Sequence, residues 1–181
     1  MKDTTFWPTD AQLSRLAKSY RAGGSGKEPD LEEIRIAQLR YPLNDHTHRY
    51  PMPAGGLFST ASDLGKFCQM ILNGGTVGGK RYLSETAIRE MTRDQLSPDV
   101  KHTPGSPWQG GSGYGLGWAT KPGGVFGHGG AYSTDMSIDP SHGLATVWLV
   151  QHASYPGNGN KSQDAFEQTV SKLFMAAASS H

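Results

Sequence analysis

Phe126-Gly127-His128-Gly129-Gly130-Ala131 is the stretch whose reading decides the fold. A short apolar lead-in ends in a histidine followed by two glycines. Beyond the turn-like Asp139-Pro140-Ser141-His142-Gly143 comes a second apolar run, Leu144 to Val150. The pattern predicts two neighbouring antiparallel strands, the first of unusual composition. Paired glycines weaken a strand interior and mark a place where another group approaches the backbone closely. A histidine just before them puts a titratable ring at the same place. The stretch therefore reads as a strand that faces a substrate. No convincing nucleophile accompanies it in the chain.

The flanking segments read less uniformly. Tyr114-Gly115-Leu116-Gly117-Trp118 alternates large and small residues, as in a strand with one side pressed against backbone. Thr60-Ala61-Ser62-Asp63 has the form of a capping box. Leu64, Phe67, Cys68, Ile71 and Leu72 then form one apolar helical face, and Asn73-Gly74-Gly75 supplies a left-handed stop. A second helix is predicted from Ser84-Glu85, carrying Ala87, Ile88 and Met91. Pro98 to Ser112, rich in proline and glycine, reads as a long loop. Asp10 to Tyr20 has Leu13, Leu16, Ala17 and Tyr20 at helical spacing. Ala22 to Asp30 reads as a polar surface loop, Leu31 to Arg40 fits either period, and Tyr41 to Pro53 is irregular. Gln163 to Ala178 closes with a helix bearing Phe166, Val170, Leu173 and Phe174. Helices first, then three antiparallel strands, then a terminal helix make an α+β class.

Composition narrows the function classes. A chain of 181 residues can build one ordinary domain. Its 17 basic and 16 acidic residues nearly cancel, leaving no basic stripe for nucleic acid or anionic lipid. No apolar run approaches membrane-spanning length, and Met1 to Pro8 does not read as a signal peptide. One cysteine, Cys68, excludes an internal disulfide framework and is expected as a buried, inert thiol.

Several phrases together resemble one family. They are Met1-Lys2-Asp3-Thr4-Thr5-Phe6, the run Ala54-Gly55-Gly56-Leu57-Phe58-Ser59 continuing through Thr60-Ala61-Ser62-Asp63-Leu64, Tyr114 to Trp118, Gly127-His128-Gly129-Gly130 and Ile138-Asp139-Pro140. In this order and spacing the chain resembles the C-terminal part of the serine β-lactamase and penicillin-binding-protein-like hydrolases, on the class C β-lactamase and esterase side. The resemblance implies the C-terminal portion of the β-lactamase/DD-peptidase-like fold, an antiparallel sheet with helices. Residues 1–112 would be part of the helical region with loops. Residues 113–181 would be the C-terminal strands and terminal helix, the two forming one incomplete domain. Met1 resembles the methionine of an internal Pro-Leu-Gly-Met pattern. Self-association, or pairing with an N-terminal part, is therefore expected.

The family's site uses Ser-x-x-Lys, then Tyr-x-Asn or a variant, then Lys-Thr-Gly or a variant such as His-x-Gly. Only the third is found here, as His128-Gly129-Gly130. Ser14 and Lys18 stand four apart rather than three, as do Ser62 and Lys66, so they read as cap and surface residues. Tyr20-Arg21-Ala22 and Tyr155-Pro156-Gly157 lack the polar third residue. By resemblance, Gly129 and Gly130 let substrate lie along the strand. The Ala131 N–H would be one of two oxyanion-hole donors, a kind of donor whose loss costs roughly 3–4 kcal/mol. Histidine in place of lysine offers no permanent charge, since an unperturbed imidazole has a pKa of about 6.5. That favours esters or amides without a required carboxylate. The implied partner is a small-molecule ester, peptide or β-lactam. Without the resemblance, His128 would read as a surface histidine in a hairpin.

The remaining candidates weigh less. His46 and His48 form a His-x-His pattern that can hold metal, but no further cluster supports it and no metal or cofactor is expected. The glycine-rich Gly111 to Gly117 does not open a helix as a phosphate loop must. Trp108 either lines a substrate entrance or covers the core, and the same choice stands for the Pro53 to Phe58 turn.

Overall fold

The computed structural model describes residues 1–23, 30–36, 40–43, 45–108, 110–153 and 159–178. Tyr155-Pro156-Gly157 and most of the expected Ala22–Asp30 loop lie outside them. In chain order the elements are α1 (Asp10–Leu13), β1 (Ser19–Ala22), β2 (Leu31–Ile34), α2 (Ala61–Leu72), β3 (Thr76–Val77) and β4 (Lys80–Arg81). Then come α3 (Glu85–Thr92), α4 (Pro98–His102), β5 (Gly113–Tyr114), β6 (Ala119–Thr120), β7 (Phe126–Gly129), β8 (Asp135–Asp139), β9 (Leu144–Trp148), β10 (His152–Ala153) and α5 (Gly159–Ala178). The result is an α+β architecture.

The principal sheet has five antiparallel strands in the order β5-β6-β7-β8-β9. The two apolar runs of the sequence are not neighbours, because β8 lies between them. A tight turn after Gly129 reverses the chain at once, so Asp135 to Asp139 must take the place beside β7. Phe126 then faces Ile138, His128 faces Met136, and Gly129 faces Asp135. Side chains alternate across a strand. Phe126, Met136, Ile138, Ala145 and Val147 therefore share one face, which packs with Phe67, Cys68, Ile71 and Leu72 of α2 and with Trp118. Ile138 and Cys68 are fully buried. Trp118 stacks on Phe67 at 6.0 Å and meets Phe126 edge-on at 5.2 Å. On the opposite face, α5 lies against β9, with Phe166 on Trp148 at 5.2 Å.

Local signals set the helix ends. Thr60 caps α2 by accepting from the Asp63 N–H, and Ser84 caps α3 by accepting from the Ala87 N–H. After Asn73, Gly74 and Gly75 take φ of +62° and +94°, so the stop works as expected. A Cβ on Gly75 would sit 2.1 Å from the Leu83 carbonyl oxygen.

Four further expectations need correction. α1 ends at Leu13, and Tyr20 belongs to a strand, because β1 pairs with β2 and, in parallel, with β10. Those partners outweigh local helical spacing. Tyr114 to Trp118 is mostly a tight hairpin turn between the two-residue strands β5 and β6. Pro98, in the first turn of α4 after the Ser97 cap, starts a short helix inside the expected loop. The expected capping box at Thr60 is only half made. The Asp63 carboxylate accepts instead from the Asp3 N–H (2.7 Å) and the Thr4 hydroxyl (3.0 Å), with Lys66 at 3.3 Å. Thr5 and Phe58 complete this docking of the N-terminal segment through paired backbone hydrogen bonds of 3.0 and 2.9 Å.

Candidate active site

β6 pairs only with Phe126 and Gly127 of β7, so among the described residues that edge of β7 is open past Gly127. The open edge carries His128, Gly129, Gly130 and Ala131, all exposed. Gly130 opens the turn into β8, its N–H donating to the Thr134 carbonyl at 2.7 Å, while its own carbonyl accepts from the Ser133 N–H at 3.1 Å. Ser133 is buried with φ +58°, and its hydroxyl donates to the His152 carbonyl at 2.9 Å. The turn consumes the amides of Gly130 and Ser133. The Ala131 N–H makes no hydrogen bond among the described residues.

His128 is held from two sides. Its Nδ1 lies 2.6 Å from the Gly129 carbonyl oxygen and its Nε2 lies 2.9 Å from the Tyr114 hydroxyl. The Tyr114 ring meets the imidazole edge-on at 5.8 Å and meets Trp108 edge-on at 5.3 Å. Trp108 in turn lines a cavity of about 360 Å³ with Lys101, His102, Gly110 and Gly111. Trp108 thus touches the site through Tyr114. Sequence reading missed Tyr114, because nothing local links residues 14 apart. Asp135, opposite Gly129, is half-buried. Burial pushes its carboxyl above the ordinary range, with Lys121 and His128 opposing and Glu167 assisting.

The other candidates are placed elsewhere. Lys66 binds Asp63 and Lys18 binds Glu33, while the Ser14 hydroxyl donates to the Ala11 carbonyl. Both near-miss lysines are thus taken up by carboxylates. His46 lies on Trp7 and His48 stacks on Tyr41 while binding Asp45, so the two rings serve different partners. The Pro53–Phe58 turn spends its backbone on Met52 and Thr5. Cys68 is in the core, and burial pushes its thiol up to about 11. One cluster not foreseen from sequence is Asp139-Ser141-His142. Its Asp139 Oδ2 (2.6 Å) and Ser141 Oγ (3.0 Å) both approach the same His142 Nδ1, and Ser141 Oγ donates to Asp139 Oδ1. A catalytic relay needs carboxylate and serine on opposite ring nitrogens. This cluster clasps the β8–β9 turn instead.

Comparison with known proteins places the chain by family and by fold. A family model described as Beta-lactamase matches residues 1–167. Protein Rv1367c of Mycobacterium tuberculosis is 33% identical over 171 residues, covering 84% of this chain and 40% of its own length. The chain therefore spans well under half of the curated relatives it matches. Among solved structures, a LovD6 mutant of simvastatin synthase from Aspergillus terreus superposes with a TM-score of 0.74 at 18% identity, covering 96% of this chain and 46% of that one. EstCE1, a hydrolase with promiscuous acyltransferase activity, gives 0.60 at 21%, covering 83% and 42%. A penicillin-binding protein homologue from Caulobacter crescentus gives 0.57 at 20%, covering 83% and 43%. These likenesses show a shared fold. No helix among the described residues is long and apolar enough to cross a membrane. With a family model spanning nearly its whole length, and that family's fold around an open His-Gly-Gly strand edge, the chain belongs to the Beta-lactamase family.

Proposed function

We propose that this chain supplies the C-terminal, carbonyl-holding side of a serine hydrolase that acts through an acyl-enzyme on esters, peptides or β-lactams. The observation that carries the reading is the Ala131 N–H, which lies beyond an open strand edge and has no partner among the described residues. A donor fixed in this way suits a carbonyl oxygen that gains negative charge, and such preorganised donors are a large part of acyl-transfer catalysis. Gly129 supports the same reading. A Cβ there would meet nothing closer than 3.4 Å, so the chain's own packing does not require a glycine. A ligand lying against the strand would.

The nucleophile and its lysine would come from a Ser-x-x-Lys segment, since no serine of this chain has lysine three residues on. The same fact favours a second reading, in which the chain is a non-catalytic binding module of the same fold. Mass spectrometry of the 181-residue chain after a fluorophosphonate or a penicillin is expected to show no serine adduct. Supplied with a family Ser-x-x-Lys segment, in one polypeptide or as a second one, the chain is expected to hydrolyse a p-nitrophenyl ester. In that assembly His128→Ala keeps part of the acylation, while Gly130→Val loses most of it. Ligand binding without turnover in every such assembly would favour the binding module, and a stoichiometric adduct on a serine of the isolated chain would overturn the assignment.

A further inference from the structure

We infer that Tyr114 is a positioning residue for His128, and that the pair makes this strand edge take uncharged acyl groups in preference to substrates bearing a carboxylate. The inference rests on the hydrolase reading for its substrate half and on geometry alone for its positioning half. A carbonyl oxygen can only accept, so the 2.6 Å contact with Gly129 places a proton on Nδ1 of His128. In the uncharged ring the lone pair is then on Nε2, and Tyr114 Oη, 2.9 Å away, donates to it. Most solvated imidazoles prefer the opposite tautomer, so both contacts are needed to hold this one.

Tyr114 can do this because it is itself held. Its N–H donates to Asp94 Oδ1 at 3.1 Å, its carbonyl accepts from the Gln95 N–H at 2.8 Å, and Trp108 packs against its ring. A hydrogen-bonded ring is spent: one N–H is committed to Gly129, and the one lone pair to Tyr114. The phenolic O–H is spent as well, and what remains open on this pair is the lone-pair side of Tyr114 Oη. A carboxylate arriving here meets an acceptor rather than a donor. Lys101, the ammonium lining the neighbouring Trp108 cavity, is engaged by Asp94. An ester or amide carbonyl needs only the Ala131 N–H and pays no such penalty.

The test uses the full 181-residue chain and long-range nitrogen–proton NMR of its imidazoles at about pH 8, where an ordinary histidine is uncharged. His128 is expected as the Nδ1–H tautomer, and Tyr114→Phe is expected to convert most of it to Nε2–H while Trp108 and Trp118 indole signals stay dispersed. An Nε2–H tautomer in the unmodified chain overturns the inference, and needs no variant to be seen. The second arm titrates methyl butyrate and sodium butyrate. The ester is expected to shift the Ala131 amide, the carboxylate to do so at least about tenfold more weakly, and Tyr114→Phe to narrow that gap, as a freed donor should. Equal response to both ligands overturns the inference while leaving the hydrolase reading in place. No response to the ester overturns the substrate half of the inference, while the hydrolase reading is decided by the p-nitrophenyl ester assay of the assembly with a Ser-x-x-Lys segment.

Discussion

Three glycines near the end of β7 are there for three different reasons, and substitution separates them. A Cβ on Gly127 would sit 2.1 Å from the Met136 carbonyl oxygen, part of the paired strand and unable to yield. On Gly130 it would sit 2.3 Å from Thr134 Oγ1, the end of a side chain that can turn away. On Gly129 it would find only ordinary contacts. Alanine is therefore expected to cost most at Gly127, about 2–3 kcal/mol, about 1 at Gly130, and within about 0.5 at Gly129. Urea unfolding midpoints check the order. Gly129→Ala should nonetheless weaken the ester response at the Ala131 amide, since its methyl would stand off the strand face beside the open edge. Ser133 offers a second residue-scale test. Its φ of +58° is strained for a residue with a Cβ, but its hydroxyl holds the His152 carbonyl. Ser133→Gly trades the strain for the bond and should be nearly neutral. Ser133→Ala loses the bond and keeps the strain, and should fall about 1 kcal/mol below Ser133→Gly in the same unfolding assay.

At the scale of elements, α2 shows what a sequence can and cannot announce. Its start and stop were legible because capping and left-handed glycines act within a few residues: Thr60 binds three positions on, and Gly74 follows directly. The use of Asp63 was not legible, because its partners Asp3 and Thr4 lie about sixty residues away. Burial alone would raise the Asp63 carboxyl. The Asp3 N–H, the Thr4 hydroxyl and Lys66 reverse that and hold it at about 2. An unfolded aspartate titrates near about 3.9. The contribution of Asp63 is therefore whole above about pH 4 and is lost as pH falls toward about 2. Asp63→Asn should melt lower than the parent chain at neutral pH, and the gap should close through that acid window in paired thermal melts. Thr60→Ala removes the cap without the charge. It should cost about 1 kcal/mol with no such closing. The same contrast of local and distant causes explains the strands. The Phe126–His128 run was readable from its own residues, whereas the β8 insertion and the Tyr20 strand are set by pairing across the chain. In the candidate site, His128-Gly129-Gly130 was visible as a motif, while its Tyr114 support is set by a contact across 14 positions of the chain.

For the whole molecule, the shared core of α2, Trp118, β7 and β8 makes one reporter available. Cys68 has no exposed surface, and burial pushes its thiol up to about 11. A neutral thiol shielded from solvent is a poor nucleophile. Labelling with a maleimide should therefore stay at background in the native chain and rise to completion in denaturant, so its rate reports opening of the core. Labelling of the native chain within minutes would place Cys68 at the surface. The pairing of β1 with β10 has a different consequence. Tyr20 and Arg21 lie beside His152 and Ala153, and Ser19 is bound by Gln151 across 132 positions of sequence. During translation, β1 leaves the ribosome long before its parallel neighbour exists. At about 5–20 residues per second, the wait is on the order of ten seconds. For that interval the nascent chain exposes the edge of β1 that β10 will later cover, a window in which chaperones, or a neighbouring nascent chain, compete for it.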